Sequence, residues 1–488
     1  MLQAARTGWV CFSSRGFGKK NCKQRFIKNA KASRGKPKEA QLKAGPRKEL
    51  SLFDSAALIV GIIIGIGIFQ VAPDVARGVS TWHGVLLIWA LGGLLSLFGA
   101  LGYAELGAAY PYGGGDYVYL SRAYGRWAGF LFAWMQLSIV RPGDIAVVAF
   151  AFATYARTLY NPFHDGSGSL SLSFYAIAAV VVLTAINVMG VRLGKWTQNL
   201  LTLAKALGLL AIVAVALFVP SGVHSATQAA PPIPASLAMI FVLFTFGGWN
   251  EIAYVAAEIK NPGRNIVRAL VLGIAAVTGL YLLVNAAYLR ALGHAGMTVS
   301  KAIAVDTISA AFPQTAGRLI AALVCLSALG AVNGLIFTGA RISYAVGADY
   351  RIFHWLGKWN ERTGTPARAL LLQGAIAVAL IAALGSYAET LLYTAAPVYT
   401  FQLATSLAVF VLRRKEPHVQ RPYRVTGYPF TTIVFCASCA YLIYSAVKYR
   451  PLIAACAAVI LLLGLPLYWL TSRQPKIDET ASVADADK

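Results

Sequence analysis

About twelve apolar runs, each near the ~20 residues that a helix needs to cross a bilayer, constrain this chain more than any other feature. They fall at about 51–72, 84–109, 126–157, 172–190, 197–220, 236–259, 268–290, 316–346, 367–385, 389–412, 430–447 and 452–471. In lipid a backbone must satisfy its own polar groups, and runs of this length do so as helices. The expected fold is an all-α polytopic membrane protein of about twelve transmembrane helices, the long third and eighth tilted. Composition agrees: 58% of the 488 residues are hydrophobic and 13% charged, with a mean hydropathy of +0.62.

The net charge of +24 does not point to nucleic acid. About half of it lies in the first ~50 residues, and the rest clusters in loops between apolar runs. With the first residues inside, Arg122, Arg126, Arg192, Lys195, Lys260, Arg264, Arg341, Arg351, Arg413 and Arg421 share that side. Arg77, Arg157, Arg290, Lys301, Arg318, Lys448 and Arg450 lie opposite. This is the positive-inside pattern, and it puts both termini in the cytoplasm. Residues 1–49 read as a basic cytosolic tail, with Glu39 its first acid and no apolar stretch of signal-peptide length. A polybasic segment on anionic lipid and an organellar transit peptide are the alternatives. Residues 50–472 form the membrane domain and 473–488 a second cytosolic tail. The six cysteines make no framework: Cys436 and Cys439 have no His or acid beside them and read as small buried hydrophobes.

Two of the runs are interrupted. Gly61 to Gln70 reads G-I-I-I-G-I-G-I-F-Q, and Thr245 to Glu251 reads T-F-G-G-W-N-E. Glycine weakens a helix interior by roughly 1 kcal/mol against Ala, and opened backbone at membrane depth is tolerated where it lines a cavity. Runs one and six are the matching first helices of two five-helix halves, about 51–220 and 236–412, with 430–471 added. Broken helices at corresponding positions of two halves point to a transport site. A zwitterion suits both breaks: its carboxylate on N–H groups near Gly65 to Gly67, its ammonium on carbonyls near Phe244 to Gly247. A nucleotide does not suit them, since G-I-G-I-F-Q lacks a third glycine and follows no strand. No metal-ligand spacing and no Ser/His/Asp arrangement suggests an enzyme, and no cofactor is expected.

Six stretches, in order, resemble the amino acid–polyamine–organocation superfamily, especially its L-type amino acid transporter branch. They are G-I-G-I-F (Gly65 to Phe69), Y-A-E-L-G (Tyr103 to Gly107), P-Y-G-G-G-D-Y-V-Y (Pro111 to Tyr119), F-T-F-G-G-W-N (Phe244 to Asn250), E-I-K-N-P-G-R-N (Glu258 to Asn265) and N-G-L-I-F-T-G-A-R (Asn333 to Arg341). The resemblance implies two inverted five-helix repeats with broken helices one and six, and alternating access for amino acids. It implies that Ile64, Gly65, Ile66 and Gly67 form the carboxylate side of the site. Phe244, Phe246 and Gly247 would form the amine side, with Phe244 as the gating aromatic. Ile66 stands where the family usually has Ser, which leaves carboxylate binding to backbone amides.

Lys205 lies inside the fifth run, where an ion costs roughly 3 kcal/mol to insert. In sodium-independent relatives a lysine here replaces a sodium ion, so the resemblance implies exchange or proton-coupled uptake; snorkelling to the cytosolic side is the alternative. Arg141 and Asp144, at i and i+3 in the third run, can pair on one face with Pro142 kinking the helix between them, or face the pathway. Glu251 stands where L-type relatives are usually uncharged. It can select a cationic side chain, titrate during coupling or pair with a buried base. Glu105 is expected to pair with a loop arginine, Asp116 and Arg341 to belong to a cytosolic gate, and Trp249 to pack. The animal relatives carry a cysteine after the third helix that tethers a heavy chain. Residues 159–171 have none here, so no disulfide-linked partner is expected. The resulting expectation is a stand-alone microbial plasma-membrane permease for a small amino acid substrate. An amino acid sensor on this fold and a polyamine or organic-cation carrier are the rivals.

Overall fold

The computed structural model describes residues 46–163, 169–218, 230–309, 311–384, 387–449 and 451–472. The basic tail to residue 45, the tail from 473 and part of the cysteine-free loop lie outside them. Among the described residues there is no strand, and two isolated bridges join Leu50 to Ile259 and Asn360 to Thr365.

Among the described residues, eight helices are long and apolar enough to cross a membrane. They are α1 (Leu52–Gln70), α2 (Trp82–Ala109), α3 (Arg126–Leu159), α4 (Leu170–Met189), α5 (Val191–Phe218), α6 (Ala235–Glu258), α7 (Pro262–Val299) and α8 (Ala316–Asp349). Four more follow: α9 (Ala367–Leu384), α10 (Tyr387–Lys415), α11 (Phe430–Tyr449) and α12 (Pro451–Ser472). The sequence-derived spans start α5 and α7 about six residues late. Those first turns carry Arg192, Lys195 and Arg264, which a hydropathy window rejects but a helix reaching the headgroups accepts. Pro262 suits the first turn of α7, where its missing N–H costs no hydrogen bond.

Local chemistry sets where α1 begins. Ser51 and Asp54 form a capping box, with Asp54 N donating to Ser51 Oγ at 3.2 Å and Ser51 N donating to the Asp54 carboxylate at 2.9 Å. The same carboxylate accepts from Lys195 at 3.2 Å and Asn199 at 2.7 Å, so the start of α1 is fastened to α5.

Burial separates the helices by role. Of the apolar window of α8, 78% is buried inside the protein, against 28% for α5. α8 therefore runs through the bundle and α5 along its lipid face. α1 packs on α5, α6, α7 and α8. On α8, Ser327, Gly330, Gly334 and Thr338 recur at helical spacing, and small residues let neighbouring backbones approach closely. α3 contains a π-helical stretch, Gln136–Val140, just before Arg141 and Pro142. The irregularity lies ahead of Pro142 rather than between Arg141 and Asp144. A π-turn absorbs the hydrogen bond that the proline cannot make.

Candidate functional site

α1 is helical to Ile63, leaves helical geometry at Ile64 (φ −72°, ψ 78°) and resumes at Gly67. α6 is helical over Ala235–Thr245 and turns through Gly248 (φ 105°). It continues as a 3-10 helix, Trp249–Glu258. Gly248 answers two demands at once. Its φ lies in the left-handed region, and a Cβ there would stand 2.6 Å from Ile62 Cγ2 of α1.

Both breaks border one cavity of about 220 Å³. Its walls include Gly65, Ile66 and Gly67 of α1, Phe244, Gly247 and Glu251 of α6, and Arg141 and Asp144 of α3. Gln402 of α10 and Ser438 of α11 add polar groups. Phe244 is 41% exposed on this wall. Phe246 is fully buried and away from it, packed edge-on to Tyr281 at 5.2 Å and tilted against Trp89 at 6.1 Å. Ile64 is also absent from the wall: its side chain is buried and its carbonyl is used inside the protein. Trp249 borders the cavity but is 3% exposed and packs edge-on to Tyr103 and Phe435.

Lys205 lies under the α1 break, fully buried. Its ammonium donates to Gly61 O at 2.6 Å, Ile64 O at 2.8 Å and Ser327 O at 2.8 Å. Those three bonds use every N–H it has, so it does not snorkel. Room for it comes from Gly330, where a Cβ would lie 2.9 Å from Lys205 Nζ. The other carbonyls of the break are met as well. The single Ser327 hydroxyl proton is shared between Ile64 O and Gly65 O, at 2.9 and 3.1 Å, and the Tyr281 hydroxyl donates to Ile63 O at 3.0 Å.

Arg141 pairs across the bundle. Its Nη1 lies 3.0 Å from the Glu251 carboxylate, with side chains 4% and 7% exposed. Glu251 also accepts from Thr338 Oγ1 of α8 at 2.5 Å. The pair thus links α3, α6 and α8, and the Asp144 charge acts on the same guanidinium. Three residues on, the Tyr254 hydroxyl donates to Asp116 at 2.7 Å, and Tyr103 and Thr405 each donate to the same carboxylate at 2.5 Å. Four further on, Glu258 receives a two-pronged bond from Arg341, at 2.7 and 3.1 Å. Asp116 and Arg341 therefore sit in separate clusters, both anchored on the second half of α6. Glu105 pairs with Arg413 at 2.5 Å and with the loop residue Arg421 at 3.4 Å.

Sequence reasoning missed Ser327, Thr338, Tyr254 and Glu258. Two signals could have found them: the small polar stripe on α8, and the 3–4 spacing of Glu251, Tyr254 and Glu258. Outside the spans, burial alone would raise the Glu416 carboxyl. Hydrogen bonds from Arg122 and Tyr110 outweigh it and hold the group below its ordinary value. Burial and the Glu416 partner push the Tyr110 hydroxyl up to about 12.

The arrangement offers main-chain groups and a polar wall for a small charged solute. Comparison with known proteins agrees with that chemistry. The amino acid permease family model matches residues 50–466. The b(0,+)-type amino acid transporter 1 of Oryctolagus cuniculus is 32% identical over 394 residues, 78% of this chain and 79% of its own length. The Homo sapiens protein of that name aligns with the same identity and coverage. The large neutral amino acids transporter small subunit 2 of Homo sapiens is 30% identical over 437 residues, 87% of this chain and 80% of its own. The chain belongs to the amino acid permease family, as an L-type-like member of the amino acid–polyamine–organocation superfamily.

Proposed function

We propose that this permease binds a zwitterionic amino acid between the two helix breaks and exposes it alternately to either side of the plasma membrane. The observation that carries the reading is the single cavity bordered by both breaks, with Gly65 to Gly67 on one wall and Phe244 and Gly247 on the other. The carboxylate lies on the amides of the α1 break and the ammonium on the carbonyl end of the first half of α6. Both termini are cytoplasmic in this reading, which the loop charges support. The chain works without a disulfide-linked partner.

Transport is sodium-independent, by exchange or with a proton. Three carbonyls around one cation would suit a sodium ion equally well, and the Lys205 ammonium already fills that position. A polyamine carrier would need a carboxylate free to take the amine. Glu251 does not favour it, since Arg141 and Thr338 engage both its oxygens.

Counterflow in proteoliposomes tests the reading. Vesicles loaded with an unlabelled amino acid should accumulate the labelled one equally in sodium and choline buffers. Absence of flux for every amino acid in a folded sample, or a strict need for sodium, would refute it.

A further inference from the structure

A second cavity, of about 370 Å³, lies at the membrane surface by the α4–α5 junction and shares no lining residue with the cavity at the breaks. Three separate stretches build it: the segment before α1 with Arg47 and Glu49, the junction with Gly190 and Arg192, and the loop before α9 with Glu361 and Arg362.

The walls are held in place. Leu50 N donates to Glu258 O and Lys260 N to Leu50 O, both at 2.9 Å, which fixes the segment carrying Arg47. Asn360 Oδ1 accepts from the amides of Arg362 and Thr363 at 3.0 and 3.4 Å, and Val191 N donates to Thr363 O at 3.1 Å. Lys195 Nζ donates to Glu49 O at 3.3 Å.

We propose that this cavity binds the headgroup of an anionic phospholipid. Charge is the first argument. Three arginines face two glutamates, Arg192 lying 3.7 Å from Glu49, so the walls carry one positive charge in excess. A phosphodiester with an uncharged headgroup carries one negative charge, and arginine suits its oxygens with paired donors. The second argument is what adjoins the cavity. Leu193, Trp196, Leu200 and Leu203 follow one another at helical spacing down α5 and are 41%, 68%, 68% and 54% exposed. This stripe starts in the cavity wall and runs along the helix with the most lipid-facing window. Trp196 stands one turn in, at the depth where tryptophan anchors to headgroups. Acyl chains need such a surface, whereas a free phosphate does not.

The test uses the full chain in nanodiscs of mixed dioleoylphosphatidylglycerol and dioleoylphosphatidylcholine, with retained lipid counted by native mass spectrometry. The phosphatidylglycerol should be retained over the phosphatidylcholine, and excess inorganic phosphate should not displace it. Arg192→Gln combined with Arg362→Gln should weaken retention by roughly 30-fold, while amino acid counterflow in phosphatidylcholine vesicles persists and certifies the fold. Equal retention of the two lipids, displacement by phosphate, or unchanged retention in the double variant would overturn the assignment. The lipid and phosphate comparisons decide the matter on the wild-type chain alone if the double variant fails to fold.

Discussion

Lys205 and Arg141 are both buried cations beside a broken helix, yet their N–H groups are met by different kinds of partner. Lys205 faces three main-chain carbonyls, from α1 and α8. Arg141 faces a carboxylate, Glu251, on a different helix. Carbonyls come with any sequence, so the cation at the α1 break needs no particular partner side chain, only the space left by Gly330. The α6 break depends on two particular side chains meeting. The α1 break is thus held by a cation fixed to backbone, and the α6 break by a side-chain pair that joins it to α3 and α8.

The largest expected effect comes from unbalancing the second arrangement. Glu251→Gln removes the carboxylate bonded to the Arg141 guanidinium, and losing one member of a buried pair costs about 3–5 kcal/mol. Combining Arg141→Met with Glu251→Met should recover most of that loss, as read by thermal unfolding in detergent. If the single variant proved no worse than the double one, the pair would not be carrying the charge balance.

Lys205→Ala should come next. It removes three hydrogen bonds to buried carbonyls, for a loss of about 3 kcal/mol in total, and transport should fall with it. It also sharpens the comparison, because a vacated cation position should make thermal stability rise with sodium and not with choline. Glu251→Gln should show no such preference. A Lys205→Ala protein indifferent to sodium would mean that the three carbonyls do not form a cation position.

Gly248→Ala forces a side chain into the left-handed region and onto Ile62, and should cost about 1–3 kcal/mol. Measured unfolding below that range would mean that the α6 turn relaxes more readily than its packing against α1 implies. The smallest effect should come from the surface pair of Glu416 and Arg122, at 3.1 Å. Its contribution should stay within about 1 kcal/mol. Because the Glu416 carboxyl is held below its ordinary value, that contribution is present above the unfolded-state value and is lost as pH falls through the lower folded one. Glu416→Gln should flatten this acid limb of a stability–pH profile.

The two breaks were legible because glycines and polar residues interrupt otherwise apolar runs, and Lys205 because a charge at that depth stands out. The Arg141–Glu251 pair was not. The residues are 110 apart, and whether they meet depends on how α3 and α6 are rotated about their axes, which periodicity does not set. Phe244 and Phe246 make the same point over a shorter distance. Two residues turn a helix by about 200°, so one ring reaches the cavity and the other packs on α2 and α7. The sequence places both at the break without saying which faces in. Helix ends were misread by a turn where arginines and lysines extend a helix into the headgroups, since hydropathy ends before the hydrogen bonding does.

Binding of a labelled amino acid to Gly67→Val, beside the wild type and a thermal unfolding control, tests the central claim most directly. A Cβ at Gly67 would already lie 2.8 Å from Thr245 of α6, so valine intrudes where the two breaks meet. The account expects a folded protein in which binding is lost and counterflow is abolished. Normal binding by folded Gly67→Val would contradict it and move the amino acid site away from the paired breaks.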